Sequence, residues 1–229
     1  MKKAKKLAES IPLVGPLIRS VARILFPGVQ EYWESRYAAG GTSGTGSYGK
    51  LAEFKAKVLN DFVEKHNIQS IVEFGCGDGN QLSLAKYPAY IGLDVSKTAI
   101  KLCEERFNDD KTKRFFLYEP DCFVKGCSMF RAELALSLDV IYHLVEDKIF
   151  ELYIRHLFST AEKYVIIYST DTDINRSFQA PHVKHRNFSK WVKENLSGWN
   201  LLRRISNECP FEIDTQAELY ADFFVYEKL

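Results

Sequence analysis

Short apolar runs alternate with helix-length amphipathic stretches along most of this chain, and that alternation constrains the fold more than any other feature. The runs are Ile71 to Phe74, Ala89 to Leu93, Arg114 to Tyr118, Leu134 to Leu138 and Tyr164 to Tyr168. Helical patterns lie at 51–66, Thr98 to Phe107 and Lys148 to Lys163. Apolar strands separated by amphipathic helices build a mostly parallel sheet covered on both faces, an α/β fold. Near the end, FEIDTQAELYADFFVYEKL holds two strand-like runs with no helix-length spacer, which predicts an antiparallel hairpin completing the sheet. No internal repeat and no second full domain is visible. Residues 1–50 read as a separate N-terminal segment, and 51–229 as the domain.

The 229 residues suffice for one such domain with a full core. The net charge of +1 argues against a broad nucleic-acid surface. Five cysteines are scattered without a C-x-x-C, so reduced thiols in a cytosolic protein are expected. No apolar run is long enough to cross a membrane. The N-terminus, MKKAKKLAESIPLVGPLIRSVARILFPG, has four early lysines and a helical stripe of Leu17, Ile18, Val21, Ile24 and Leu25. Glu9, Arg19 and Arg23 interrupt any signal-peptide core. The stripe is expected to pack on the protein's own body or on a partner subunit, with interfacial membrane binding as the alternative.

GTGSYGK, Gly44 to Lys50, comes within one residue of a phosphate-binding P-loop. A P-loop needs a leading strand, a following helix and a hydroxyl after its lysine. The lead-in EYWESRYAAGGTS has no strand alternation, and Leu51 stands where Ser or Thr is required. Only the helix follows. A flexible Gly/Ser/Thr loop is the better reading.

The first strand runs into IVEFGCGDGNQ, where Gly75, Gly77 and Gly79 alternate in a tight turn. Glycine there frees φ and lets a ligand approach the backbone. Asp94 closes the second strand in YIGLDVS, placed to accept two ribose hydroxyls. The spacing is one residue too tight for a dinucleotide fingerprint. Glu73 at the strand end would repel a pyrophosphate but suits a cation. A nucleoside with a positive centre and no phosphates fits, and S-adenosylmethionine is such a ligand.

EFGCGDG resembles the glycine motif of class I S-adenosylmethionine-dependent methyltransferases, and GLDVS resembles their ribose-binding acid. The order of elements is similar over about residues 50–229. The resemblance implies a Rossmann-like, seven-stranded, mostly parallel sheet with a reversed final strand. It implies that Glu73, Gly75 and Gly77 line the methionine and ribose, that Gly79 packs helix on strand, and that Val95 touches adenine beside Asp94. Asp121 in EPDCF resembles the residue that reads the adenine amino group, with a turn aspartate as the equal alternative. SLDVIYHL implies that Asp139 and His143 lie near the sulfonium and the acceptor. N-terminal segments in this family often fold over the cofactor. Tyr32, Trp33, Arg36 and Tyr37 suit such a lid, with GGTSGTGSYG as its hinge or flap, and their aromatic faces suit a sulfonium. Tyr32 and Arg36 are assigned to the cofactor, Tyr37 to the acceptor.

The reaction class follows less directly. LDVIYHL stands where methylases of planar amino nitrogens carry Asn/Asp-Pro-Pro-Tyr/Phe, so adenine or cytosine N-methylation is not expected. DTDINRSFQAPHVKHRNFSKW follows the fifth strand with Arg176, His182, Lys184, His185 and Arg186. Histidine and arginine together suit an anionic or polyhydroxyl acceptor, and Arg176 and Arg186 are the candidate contacts. O-methylation of a small molecule or glycan is the leading expectation, with His143, His182 or His185 as base. A magnesium site on Asp139 and Asp171, completed by Asp173 or Asn175, ranks below it. A non-catalytic cofactor-binding subunit and an RNA or protein methylase are the alternatives.

Overall fold

The computed structural model describes residues 26–123, 127–175, 179–208 and 221–229. The N-terminal stripe at 17–25, Arg176 and the run at 211–213 lie outside the described residues.

Seven strands form one sheet in the order β3-β2-β1-β4-β5-β7-β6. They are β1 Ser70–Phe74, β2 Ala89–Asp94, β3 Lys113–Leu117, β4 Ala132–Leu138, β5 Ala161–Ser169, β6 Trp199–Ile205 and β7 Asp222–Lys228. The pairs among β1 to β5 are parallel, while β7 runs antiparallel to both β5 and β6. The expected antiparallel pair is present. The strand that pairs with β7 at the sheet edge is β6, which precedes the FEIDTQAELYADFFVYEKL stretch. β6 is an edge strand exposed on both faces through most of its length, so it carries no apolar alternation to read.

The central strands are buried on both faces, which is why they read as continuous apolar runs. Period-two alternation divides them between two cores. Val72, Phe74, Ala135, Val165, Ile167 and Phe224 face one way. Ile71, Leu134, Leu136, Ile166, Tyr168 and Phe223 face the other.

Six α-helical segments flank the sheet among the described residues: α1 Val29–Ala38, α2 Gly49–Lys65, α3 Lys97–Arg106, the single turn α4 Pro120–Phe123, α5 Asp147–Thr160 and α6 Phe188–Asn195. α2 stops where Asn67 takes φ 50° and Ile68 N–H returns to the Val63 carbonyl at 3.0 Å, a left-handed C-terminal cap. The β1–β2 connection holds only a 3₁₀ turn at Leu82–Leu84, so the glycine turn leads into no full helix there.

The buried stripe of α2 is Ala52, Lys55, Ala56, Leu59, Phe62 and Val63. Leu51, Phe54 and Val58 are only half-buried, so the core-facing side is rotated from the purely apolar pattern. The rotation puts a lysine inside the protein.

Candidate active site

A cavity of about 690 Å³ opens at the carboxyl ends of β1, β2 and β4. This is where an open α/β sheet binds ligands, at the point where strand order reverses between β1 and β4.

Its floor is the glycine turn. Gly75, Gly77 and Gly79 have φ of 85°, 59° and 74°, a region closed to most side chains. A Cβ on Gly75 would run into the Val140 methyl, and one on Gly77 into Ser43 Oγ. A Cβ on Gly79 would come within 2.9 Å of Phe107 and 3.0 Å of Cys103 Sγ, so Gly79 packs against α3 rather than lining the cavity. Cys76, Cys103 and Cys122 are free thiols.

Asp94 ends β2 beside this turn. Its carboxylate accepts Gly77 N–H and Ser96 N–H, both at 2.9 Å. Burial nonetheless raises its pKa to about 6. Glu73 accepts the Tyr90 hydroxyl at 2.7 Å, and burial raises it to about 7. Two deeply held carboxyls with raised pKa values are groups that a cationic, hydroxyl-bearing ligand would keep ionised.

The other wall comes from β4 and the turn after it. Asp139 adopts φ 60° and has one oxygen 2.6 Å from Lys55 Nζ and the other 2.9 Å from the Tyr142 hydroxyl. His143 lines the cavity under the edge of Trp33, with ring centroids 5.1 Å apart. Its Nδ1 lies 3.1 Å from the His182 carbonyl. A carbonyl only accepts, so Nδ1 carries the proton and Nε2 keeps the lone pair. Burial pushes this imidazole down to about 4, so it is neutral at physiological pH.

Residues 41–48 fold over the glycine turn. Ser43 N–H and the Tyr48 hydroxyl both donate to Asp78 Oδ2, at 2.9 and 2.8 Å. Asp78 N–H returns a bond to Ser43 Oγ, and Asn80 holds the Ser47 carbonyl at 2.7 Å. Tyr37 is buried, with its hydroxyl 3.0 Å from Ser43 Oγ. Glu34 accepts from Ser96 Oγ and from Thr98 N–H and Oγ1, tying α1 to the start of α3.

The fold therefore brings Tyr37, Glu73, Gly75, Gly77, Asp94 and Val95 to one cavity, and Asp139 and His143 with them. Other expected groups stand elsewhere. Tyr32 stacks on His182 at 4.3 Å, outside the lining. Arg36 donates to the Thr42 carbonyl at 2.6 Å and lies over Trp33. Asp121 is exposed in α4, one residue past Pro120, which does line the cavity. His185 faces Thr170 at 2.6 Å instead of the cavity. Arg186 is buried and committed: it holds the Leu144 and Val145 carbonyls and Asp147. Its guanidinium braces the β4–α5 turn and offers no free fork to an anion. Lys184 is on Asp147 as well. Asp171 accepts Ser189 N–H and Oγ, and Asp173 accepts Asn187 N–H. These are loop and cap contacts, and no group of three metal ligands occurs among the described residues.

Lys55, Ser43, Asp78 and Glu34 were not legible as site residues. Lys55 alone left a signal: a lysine at the centre of an i, i+3, i+4 apolar stripe is misplaced unless it has a buried partner.

No protein-family model and no curated protein matches the chain. Solved structures do. The N-methyltransferase NodS from Bradyrhizobium japonicum WM9, in complex with S-adenosylhomocysteine, aligns with TM-score 0.66 at 12% identity, over 88% of this chain and 98% of that one. Magnesium protoporphyrin IX methyltransferase (ChlM) from Synechocystis PCC 6803, with the same ligand bound, aligns with TM-score 0.63 at 14% identity over 88% and 98%. The methyltransferase domain of bacterial CtHen1-C aligns with TM-score 0.61 at 19% identity over 78% and 99%. The chain has the fold of the class I S-adenosylmethionine-dependent methyltransferases.

Proposed function

We propose that the protein transfers a methyl group from S-adenosylmethionine to a hydroxyl of a small-molecule or sugar-like acceptor. One observation carries this reading: a single cavity joins the glycine turn and Asp94 to the neutral imidazole of His143. The residues present fit the cofactor. Gly75 and Gly77 bring bare backbone to the cavity wall, and the buried carboxyls of Asp94 and Glu73 match a ribose diol and a cationic tail. The bound cofactor supplies an activated methyl on a sulfonium. The chain aligns and desolvates: Asp94 fixes the ribose, the flap at 41–48 excludes water, and the β4 turn presents the acceptor. His143 Nε2 takes the acceptor's hydroxyl proton, while the His182 carbonyl holds the ring's tautomer.

Arg186, Lys184 and His185 do not line the cavity, so they offer no contact to an anionic group on the acceptor. Glu31 and Glu146 stand at its mouth instead, unpaired by any described residue. They favour an acceptor with an amine, which gives N-methylation as the second reading, in line with the activity named for NodS.

Transfer of labelled methyl from S-adenosylmethionine to a panel of hydroxylated and amine-bearing small molecules tests the proposal. The expected result is labelling of a hydroxyl, abolished in His143→Ala with cofactor affinity retained. Labelling confined to amines establishes the second reading. Cofactor binding without any transfer, across acceptors that fill the cavity, refutes both.

A further inference from the structure

Lys55 is the feature of the cavity that the proposed chemistry does not use. Its side chain is 0% exposed, yet it lines the cavity. Among the described residues its ammonium makes one hydrogen bond, to Asp139 Oδ2 at 2.6 Å, and it lies 5.3 Å from the Tyr168 ring centre. An ammonium has three N–H donors. Two remain, in a setting where an unmet charged donor is costly. A buried ion pair adds little stability over an apolar replacement, so stability alone does not account for a lysine here. Spare donors facing a cavity are accounted for by an acceptor group on a ligand.

The surroundings define that group. Glu73 alternates onto the same face of the sheet as Ile71, the face that α2 covers, and both Glu73 and Lys55 line the cavity, with the Lys55 charge acting on the Glu73 carboxyl. That pattern is complementary to a zwitterion. Asp139 holds Lys55 in place, and Tyr142 takes the carboxylate's second oxygen. The flap closes directly on the pair: a Cβ on Gly46 would come within 2.7 Å of Asp139 Oδ2.

Building on the cofactor assignment above, we propose that Lys55 receives the α-carboxylate of the cofactor's amino-acid tail, opposite Glu73 at the tail's ammonium. Lys55 is thereby a selectivity determinant for the intact tail, set in place by Asp139 and covered by the flap.

The probes are S-adenosylmethionine and its decarboxylated form, which differ only in that carboxylate, measured by calorimetric titration. Wild type is expected to bind the decarboxylated form ~10–100-fold more weakly, the range of a hydrogen bond to a charged group. In Lys55→Met the two ligands should bind within ~2-fold of each other, through loss of the intact cofactor's advantage. The double variant Lys55→Met/Asp139→Asn removes the stranded carboxylate and should behave alike. Equal affinities in wild type, or a preference that survives both variants, overturns the assignment while leaving the cofactor reading intact. If wild type binds neither ligand, both fall together.

Discussion

The raised pKa values of Glu73 and Asp94 predict a steep pH dependence of cofactor affinity. Each must be ionised to do its part, Glu73 facing an ammonium and Asp94 accepting two hydroxyls. Their values in the empty protein are about 7 and about 6. Both are raised, so the ionised form is present above the folded pKa and is lost as pH falls through it. At pH 5, Glu73 lies two units below its pKa and Asp94 one. If the protonated forms do not bind, the affinity falls by ~10²-fold from the first and ~10-fold from the second. Together the loss from pH 8 to pH 5 reaches ~10³-fold, or about 4 kcal/mol. Titration calorimetry with S-adenosylhomocysteine at several pH values reads this directly. Asp94→Asn should start weaker at pH 8 and then lose only ~10²-fold, and Glu73→Gln only ~10-fold. A wild-type profile that stays flat between pH 8 and pH 5 would refute the reasoning, as would single variants that keep the full slope. The same shifts act oppositely on the empty fold. There the buried carboxyls hold protons that the unfolded chain gives up, so stability falls as pH rises from about 4 to about 7, by roughly 3 kcal/mol for Asp94 alone.

Three further perturbations separate the parts of the site. Arg186→Ala strips the donor from two backbone carbonyls and should destabilise the protein by about 3 kcal/mol in urea unfolding. A loss below ~0.5 kcal/mol would return Arg186 to the candidates for acceptor binding. Gly75→Ala combines a φ of 85° with a clash against Val140, and should abolish cofactor binding while the far-ultraviolet circular dichroism is unchanged. Retained affinity would place the ligand elsewhere. Asp78→Ala releases Ser43 and Tyr48, so cleavage within 41–48 by an added protease should speed up at least ~10-fold. An unchanged cleavage rate would show that the flap is held by packing and not by Asp78.

The sequence by itself determined the sheet, the glycine turn and the acid at the end of β2. These are written in local chemistry: strand and helix periods repeat within a few residues, and a turn of three glycines records φ values that other side chains do not tolerate. β6 escaped because an exposed edge strand has no buried face to impose a pattern. The tertiary structure decided which polar groups belong to the site. Arg186 looked free in a basic loop but spends its donors on carbonyls 41 and 42 positions away. Lys55 sits in an apolar helical stripe, but its partner, Asp139, lies 84 positions away. The flap's anchor, Asp78, reaches back 35 residues to Ser43. A buried charge is tolerated only beside its partner, and that partner is chosen by how the elements stack, which no local pattern encodes.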